Sequence, residues 1–299
     1  GNKFSYKDNC LYVANISFDA SVQELFAPLC FGATLVLYPK NTLTNIPLLI
    51  DILEKYNITF SFIPPNILDD IYNFVKINKR KFTINKLSVG VETIKNSTLN
   101  HFYELNKDIE IVNGYGPSEA TICSTFYTYH YNEENSTVPI GYPLKNNNIY
   151  ILNFLNNLQP IGFPGEICIT GANVSKGYLN NPEMTKKSFV NISSLSDNLI
   201  YKTGDIGFWD KSGFISFIGR NDSQIKYRGH RVELNEINNT IKNIENVTNA
   251  VTIFKKINDV PAICSYVSTS SSIITPDFIK NELSSLLPYY MIPSHIILL

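Results

Sequence analysis

Long apolar runs are missing from this 299-residue sequence: the strongest, residues 25–38, is broken by Pro28 and Gly32. A helix that crosses a bilayer needs about 20 consecutive apolar residues, so no membrane span is expected. Paired cysteines are missing too. Cys10, Cys30, Cys123, Cys168 and Cys264 are odd in number, widely spaced and never in a Cys-x-x-Cys arrangement, which favours reduced thiols in a cytosolic protein. There is no excess of charge: 25 Lys and Arg face 26 Asp and Glu, for a net −1, so nothing in the balance points to nucleic acid or a membrane surface as partner. No secretory leader pattern and no periodic repeat is found. The expectation is a cytoplasmic globular protein with small or neutral partners. The sequence also lacks an initiator methionine, and it stops inside the apolar run His295-Ile296-Ile297-Leu298-Leu299. It is therefore expected to be a fragment.

What is present is ample core material, 44% hydrophobic and 12% aromatic residues, enough for one large domain or two. Strand-like runs at 34–38, 58–63, 87–91 and 109–112 alternate with helical stretches at 46–56, 66–77 and 94–105, the pattern of a parallel sheet with helices on its faces. Ahead of them, residues 10–20 deliver Phe18-Asp19 to a helix over 22–31. Ser21 and Glu24 have the Ser-x-x-Glu spacing of a capping box, and Gly32 can end that helix. After residue 137 the texture changes to short strands, at 148–152, 166–170, 200–201 and 213–218, separated by Gly, Pro and Asn turns. A helix at 233–244, strands at 250–254 and 262–267 and a helix at 276–286 then form a small α+β unit. The expected fold is α/β: a parallel-sheet part to about residue 137, a β-rich part over 138–221, and a small C-terminal unit over 222–299.

The chemistry concentrates in Asn113-Gly114-Tyr115-Gly116-Pro117-Ser118-Glu119, which follows the strand at 109–112. In open α/β sheets ligands bind at the carboxyl ends of strands. There Tyr115 offers a flat face to a planar ring, Ser118 a hydrogen bond to an oxyanion, and Glu119 a hard oxygen of the kind magnesium accepts beside phosphates. A tight Gly-Pro turn that merely starts the next element is the alternative, with about equal weight on local content. Asp19 reads as a helix cap unless a cation pairs with it, and Ala20 and Gln23 share its face of the helix. Phe62, Ser88 and Gly90 fall near strand ends on the side where Gly114, Ile122 and Cys123 emerge, as cavity lining or as plain core. Asp205, in Tyr201-Lys202-Thr203-Gly204-Asp205, could take two vicinal hydroxyls or be a solvated turn residue. The cationic stretch from Lys226 to Arg231 suits a phosphate-facing loop or a solvated hairpin.

Taken in order, six strings resemble the motif series of the adenylation domains of nonribosomal peptide synthetases, within the acyl-adenylate-forming superfamily. They are Phe18-Asp19-Ala20-Ser21; residues 113–119; Gly165-Glu166-Ile167-Cys168-Ile169-Thr170-Gly171 with Gly177-Tyr178-Leu179; residues 201–205; residues 219–236; and residues 287–293. The resemblance spans essentially the whole chain. It implies an enzyme that joins an amino acid to AMP from Mg-ATP, then passes the acyl group to the phosphopantetheine thiol of a partner carrier domain, with condensation domains as neighbours. By resemblance Asn113, Gly114, Tyr115, Gly116, Ser118, Asp205 and Arg220 bind the nucleotide, Ser118 and Glu119 serve catalysis, and Glu119 holds Mg2+. Asp19 pairs with the substrate's α-ammonium, and Ala20, Gln23, Phe62, Ser88, Gly90, Gly114, Ile122 and Cys123 complete the substrate pocket. Small residues at Ser88, Gly90 and Gly114 are expected to leave volume for a medium or large, mainly apolar side chain. Asp222 falls at the family's hinge.

The sequence departs from the family in places. Ser118 stands for the usual threonine, Asn173 where a second glycine is common, Lys176 for arginine and Asn235 for glycine or glutamate. The Gly/Ser/Thr-rich phosphate loop and the Asn-Gly-Lys segment with its lysine are not in the sequence, so the chain alone is expected to be inactive although its parent is not. An acyl- or aryl-CoA ligase, which Asp19 speaks against, and a non-catalytic adenylation-like remnant are the other readings.

Overall fold

Five short runs of the first half line up in parallel, because a helix between each one and the next carries the chain back. In the computed structural model, which describes residues 4–38, 42–131, 136–221, 224–227, 230–257, 260–271 and 273–299, the series is β1 (Asn9–Tyr12), α1 (Ala20–Cys30), β2 (Thr34–Leu37), α2 (Ile46–Lys55), β3 (Phe60–Phe62), α3 (Leu68–Ile77), β4 (Lys86–Gly90), α4 (Asn96–Leu105) and β5 (Glu110–Tyr115). The strands pair in the order β2-β1-β3-β4-β5, all parallel. Two antiparallel strands, β6 (Thr125–Tyr129) and β7 (Tyr142–Pro143), continue the sheet beyond β5. Local chemistry starts the helices. The Asn45 side chain accepts from the Leu48 N–H at 3.1 Å and Pro47 occupies the first turn of α2, where no N–H is needed. Leu49, Ile50, Ile52 and Leu53 of that helix are buried, in one apolar cluster with Leu11, Ile63, Leu87 and Ile111 of the sheet.

The capping box expected at α1 does not form. Asp19 takes the N-cap position without a side-chain cap bond, and Glu24 turns away to accept the Val13 and Ala14 N–H groups at 2.9 and 2.8 Å. The carboxylate thus secures the loop ahead of the helix. Burial pushes the Glu24 carboxyl up to about 7, against the two backbone bonds that pull it down. Gly32 does end the helix with φ +72°.

The β-rich part is a second, antiparallel sheet. Its strands are β8 (Asn147–Leu152), β9 (Gly165–Gly171), β10 (Phe189–Val190), β11 (Ile200–Trp209) and β12 (Ile215–Arg220), with α5 (Pro182–Ser188) leading into β10. They pair as β10-β11-β9-β8, with β12 on β11. The two-residue strand expected at 200–201 is a ten-residue one. Asp205 therefore lies inside a strand and not at a turn. Its ladder slips between Lys202 and Ile206, where Gly204 takes φ +73°, the left-handed conformation by which a bulge re-aims the next side chain.

The chain divides into two compact units, Gly1–Gly219 and Arg220–Leu299. The second contains the hairpin β13 (Gln224–Tyr227) and β14 (His230–Glu233), then α6 (Leu234–Lys242), β15 (Val247–Ile257), β16 (Val260–Thr269), α7 (Pro276–Leu286) and β17 (His295–Leu298). Val232, Ile237, Ile241, Ile263, Val267, Ile279 and Leu283 form its own core. Of the Lys226 to Arg231 stretch, residues 228 and 229 lie outside the described residues, and the others pair in β13 and β14, with the register running from Gln224↔Glu233 to Tyr227↔His230. The expected hinge residue Asp222 lies outside the described residues.

Candidate functional site

The residues between β5 and β6 carry the site. Asn113, Gly114 and Tyr115 belong to the strand itself, one turn earlier than a loop at its end would put them, and are paired with Tyr127, Phe126 and Thr125 of β6. The buried Asn113 amide donates to the Pro139 carbonyl at 2.8 Å, so its side chain ties the strand to the following segment. Gly116 and Pro117 leave the sheet, and Ser118, Glu119 and Ala120 make one 3-10 turn with Ser118 exposed.

Tyr115 and Asp205 meet across 90 residues of sequence. The Tyr115 hydroxyl donates to Asp205 Oδ2 at 2.6 Å, and the two residues are 6% and 3% exposed. The pair that sequence placed at the base and the ribose of a nucleoside is thus a buried, mutually oriented couple. Arg220 ends β12, half-buried, in the second unit. Glu119 is half-buried, and the Tyr178 hydroxyl donates to its Oε1 at 2.7 Å. Burial and that carboxylate push the tyrosine above its usual value, which keeps it a donor at neutral pH.

The substrate-side residues also converge. Phe62 is opposite Ser88, and Gly90 opposite Gly114; Cα partners in a ladder, and residues two apart, share a face, so these four lie on one side of the sheet. Asp19 joins them from α1 by accepting the Ile122 N–H on Oδ2 at 3.2 Å. Burial first, and then the Asp19 carboxylate, push the Cys123 thiol up to about 12, so Cys123 is an inert neighbour and not a nucleophile. Ala20 and Gln23 sit on the first turns of the same helix, half-buried.

At Gly90 and Gly114 the space that a side chain would take is already filled. A Cβ on Gly90 would stand 2.4 Å from the Gly114 carbonyl oxygen, and one on Gly114 would stand 2.9 Å from Cys123 Sγ and 3.0 Å from the Phe126 ring. The glycines are needed because backbone and side chains of the protein already fill those positions. Ile122 is strained as well: Thr121 and Ile122 have φ of +51° and +69°, and Cys123 N–H bonds back to the Thr121 carbonyl at 2.9 Å, closing a γ-turn of the rarer, strained hand around a β-branched residue.

A profile of the AMP-binding enzyme family matches residues 1–179. The chain belongs to that family. Among curated AMP-binding relatives, bacitracin synthase 3 of Bacillus licheniformis is 36% identical over 295 residues, 97% of this chain and 4% of that synthase. Gramicidin S synthase 2 of Brevibacillus brevis is 35% identical over 297 residues, 99% of this chain and 7% of the relative. The chain therefore spans a small part of the curated relatives it matches. In the same fold, the NpsA-ThdA fusion from Klebsiella oxytoca, an artificially fused adenylation-PCP di-domain, superposes with TM-score 0.83 at 26% identity, over 98% of this chain and 54% of that one. The Vibrio cholerae adenylation domain AlmE, solved with glycyl-adenosine-5'-phosphate, superposes with TM-score 0.85 at 21% identity, covering 99% and 56%.

Three participants in this AMP-binding fold carried no sequence signal of their role. Glu24 looked like half of a capping box, Tyr178 was one aromatic in a matching string, and Asn173 was only a departure from glycine. Each acts through a partner more than ten residues away, which spacing along one helix or strand does not reveal. The Asn113 side chain, by contrast, makes one bond of its own within the fold, to the Pro139 carbonyl. No group of three or more His, Cys, Asp or Glu suited to a metal occurs among the described residues, nor does any helix long and apolar enough to cross a membrane.

Proposed function

We propose that this chain is part of an adenylation domain that activates an amino acid with ATP and passes it to a carrier-bound phosphopantetheine thiol, in a nonribosomal peptide synthetase. The observation that carries the reading is Asp19. Its carboxylate is half-buried, accepts one backbone N–H from Ile122, and stands beside Cys123, itself against Gly114. An ion in such a place calls for a cation, and the α-ammonium of an amino acid supplies one.

In this reading the substrate carboxylate oxygen bonds to the α-phosphorus of ATP as the bond to pyrophosphate breaks. The residues contribute position and charge rather than a nucleophile. Asp19 orients the amino acid, with Ala20, Gln23, Phe62, Ser88 and Ile122 around its side chain. The exposed Ser118 hydroxyl donates to phosphate. Asp205, oriented by Tyr115, takes the ribose hydroxyls, with Arg220 assigned to the same nucleotide. The 6% exposure of Tyr115 leaves only a small patch of its ring for the adenine. Glu119 would hold Mg2+, and a carboxylate held by Tyr178, with no metal-suited group of three or more acids among the described residues, suits a metal that keeps most of its ligands as water and substrate phosphate. When bound, that ion neutralises the charge on the phosphates. Asp222 is assigned the hinge between 1–221 and 222–299, and a carrier domain and a condensation domain are the partners.

Amino-acid-dependent ATP–pyrophosphate exchange in the full-length protein, tried with each common amino acid, tests this. Exchange with one or a few apolar amino acids, abolished in Asp19→Asn, supports it. Exchange only with acids lacking an α-amine moves the assignment to an acyl- or aryl-CoA ligase, and none with any acid moves it to a non-catalytic domain. The chain by itself covers about half of the adenylation-PCP structure, and we expect no exchange from it alone.

A further inference from the structure

The strained turn at Thr121 and Ile122 needs something to hold it. Two left-handed β-branched residues in succession cost roughly 1–3 kcal/mol each, and such a conformation persists only where its surroundings impose it. Asp19 holds one side, through the Ile122 N–H. The other side is held by the segment after β9, through the Ser175 N–H on the Glu119 carbonyl at 2.8 Å and, at the turn itself, through Asn173. Asn173 Nδ2 donates to the Ala120 carbonyl at 2.7 Å and to Ser124 Oγ at 3.0 Å, while its own carbonyl accepts the Thr121 hydroxyl at 2.7 Å. Those bonds fall just before the turn, just after it and on its first strained residue. The direction of the amide is fixed by chemistry, since the Ala120 carbonyl can only accept.

We propose that Asn173 is a positioning residue for the amino-acid pocket: it clamps residues 120–124 against Asp19, and so sets where Ile122 and Cys123 stand relative to the Asp19 carboxylate. This rests on the adenylation reading above. Without the clamp the γ-turn relaxes toward ordinary backbone, the Ile122 N–H leaves Asp19, and the pocket wall moves while the Tyr115–Asp205 pair, held by its own bond, does not. The consequence is selective: affinity for the amino acid falls and affinity for ATP is kept.

The test is pyrophosphate exchange in the full-length protein, using whichever common amino acid the wild type exchanges best. Asn173→Ala removes both side-chain donors. Asn173→Asp keeps the shape and turns an oxygen on the Ala120 carbonyl. Thr121→Val removes the third bond without touching Asn173. We expect KM for the amino acid to rise about 5- to 30-fold in Asn173→Ala, the range that losing one or two hydrogen bonds implies, more in Asn173→Asp and less in Thr121→Val, with KM for ATP changed less than about twofold and more amino acids accepted. Misfolding of part of the sample lowers the rate but leaves both KM values alone, so a KM shift separates clamping from mere stability. An unchanged amino-acid KM in folded Asn173→Ala and Asn173→Asp overturns the inference, as does an equal rise in both KM values. A wild type that exchanges with no amino acid overturns instead the function on which it rests.

Discussion

Replacing Glu24 with glutamine should stabilise the protein, increasingly so as pH rises above about 4.5. Glu24 is 3% exposed, and its Oε1 has no hydrogen-bond partner among the described residues. Its carboxyl stands at about 7 in the folded chain against 4.5 for a free one. The folded state therefore holds this proton more tightly than the unfolded state, and stability falls as pH climbs from about 4.5 to about 7 and levels off above. The full difference is worth about 3 kcal/mol. Glutamine is neutral throughout and its side-chain carbonyl can still accept the Val13 and Ala14 N–H groups, so Glu24→Gln avoids the charge and keeps the tether. We expect the variant to match the wild type near pH 4 and to exceed it by up to about 3 kcal/mol at pH 8, equivalent to about 6–12 °C in Tm for a unit of this size. Parallel urea titrations at several pH values give the difference directly, other carboxylates cancelling between the two proteins. Glu24→Ala should be weaker than Glu24→Gln at every pH, by about 1–3 kcal/mol for each N–H left without an acceptor. A Glu24→Gln difference that does not change between pH 5 and 8 would show that the buried carboxylate is not the source.

Three other outcomes follow from distances already described. Gly90→Ala should cost about 3 kcal/mol or more in urea unfolding, and Gly114→Ala less, because the first added methyl meets a backbone oxygen at 2.4 Å and the second meets side chains that can turn aside. Tyr115→Phe leaves Asp205 Oδ2 without its 2.6 Å donor and should cost about 1–3 kcal/mol, with weaker ATP binding by calorimetry in the full-length protein. At pH 8 one thiol of five, the exposed Cys30, should react quickly with a disulfide reagent, since Cys10, Cys123, Cys168 and Cys264 are sheltered and burial holds Cys10 and Cys123 at about 12. Early labelling of Cys123 would contradict its packing beneath Gly114.

Periodicity made the parallel sheet legible. Runs such as Leu49-Leu53 in α2 and Leu87-Val89 in β4 show their buried faces in the residues themselves, and Asn45 and Thr275 announce the helices they cap. Long-range uses of a polar side chain were illegible for the same reason. Ser21 and Glu24 satisfy a local rule, yet the backbone ten and eleven residues upstream of Glu24 offers two donors that the helix start does not match. Tyr201 to Asp205 read as a turn because Gly-Asp usually is one, and only the partner strand β9 shows that the glycine makes a bulge within a ten-residue strand.

The candidate site combines both kinds of information, which is why its residues could be singled out in the sequence and its geometry could not. Tyr115, Glu119 and Asp205 are distinctive residue types in distinctive company. The turn that joins them to Asp19 is made of Thr121 and Ile122, which sequence reads as strand formers, and Val91 beyond Gly90 shares their positive φ at +64°. Nothing local favours that conformation in a β-branched residue. It is imposed by Asp19 from one side and Asn173 from the other, so the strain at residues 121–122 and the groups that offset it are separate parts of one sequence, brought together only by the fold. Local preference overridden at three positions around one pair of strand ends is how a site differs from the scaffold that carries it. On that ground the β4 and β5 strand ends, rather than any cleft elsewhere, are where substrate specificity should be sought.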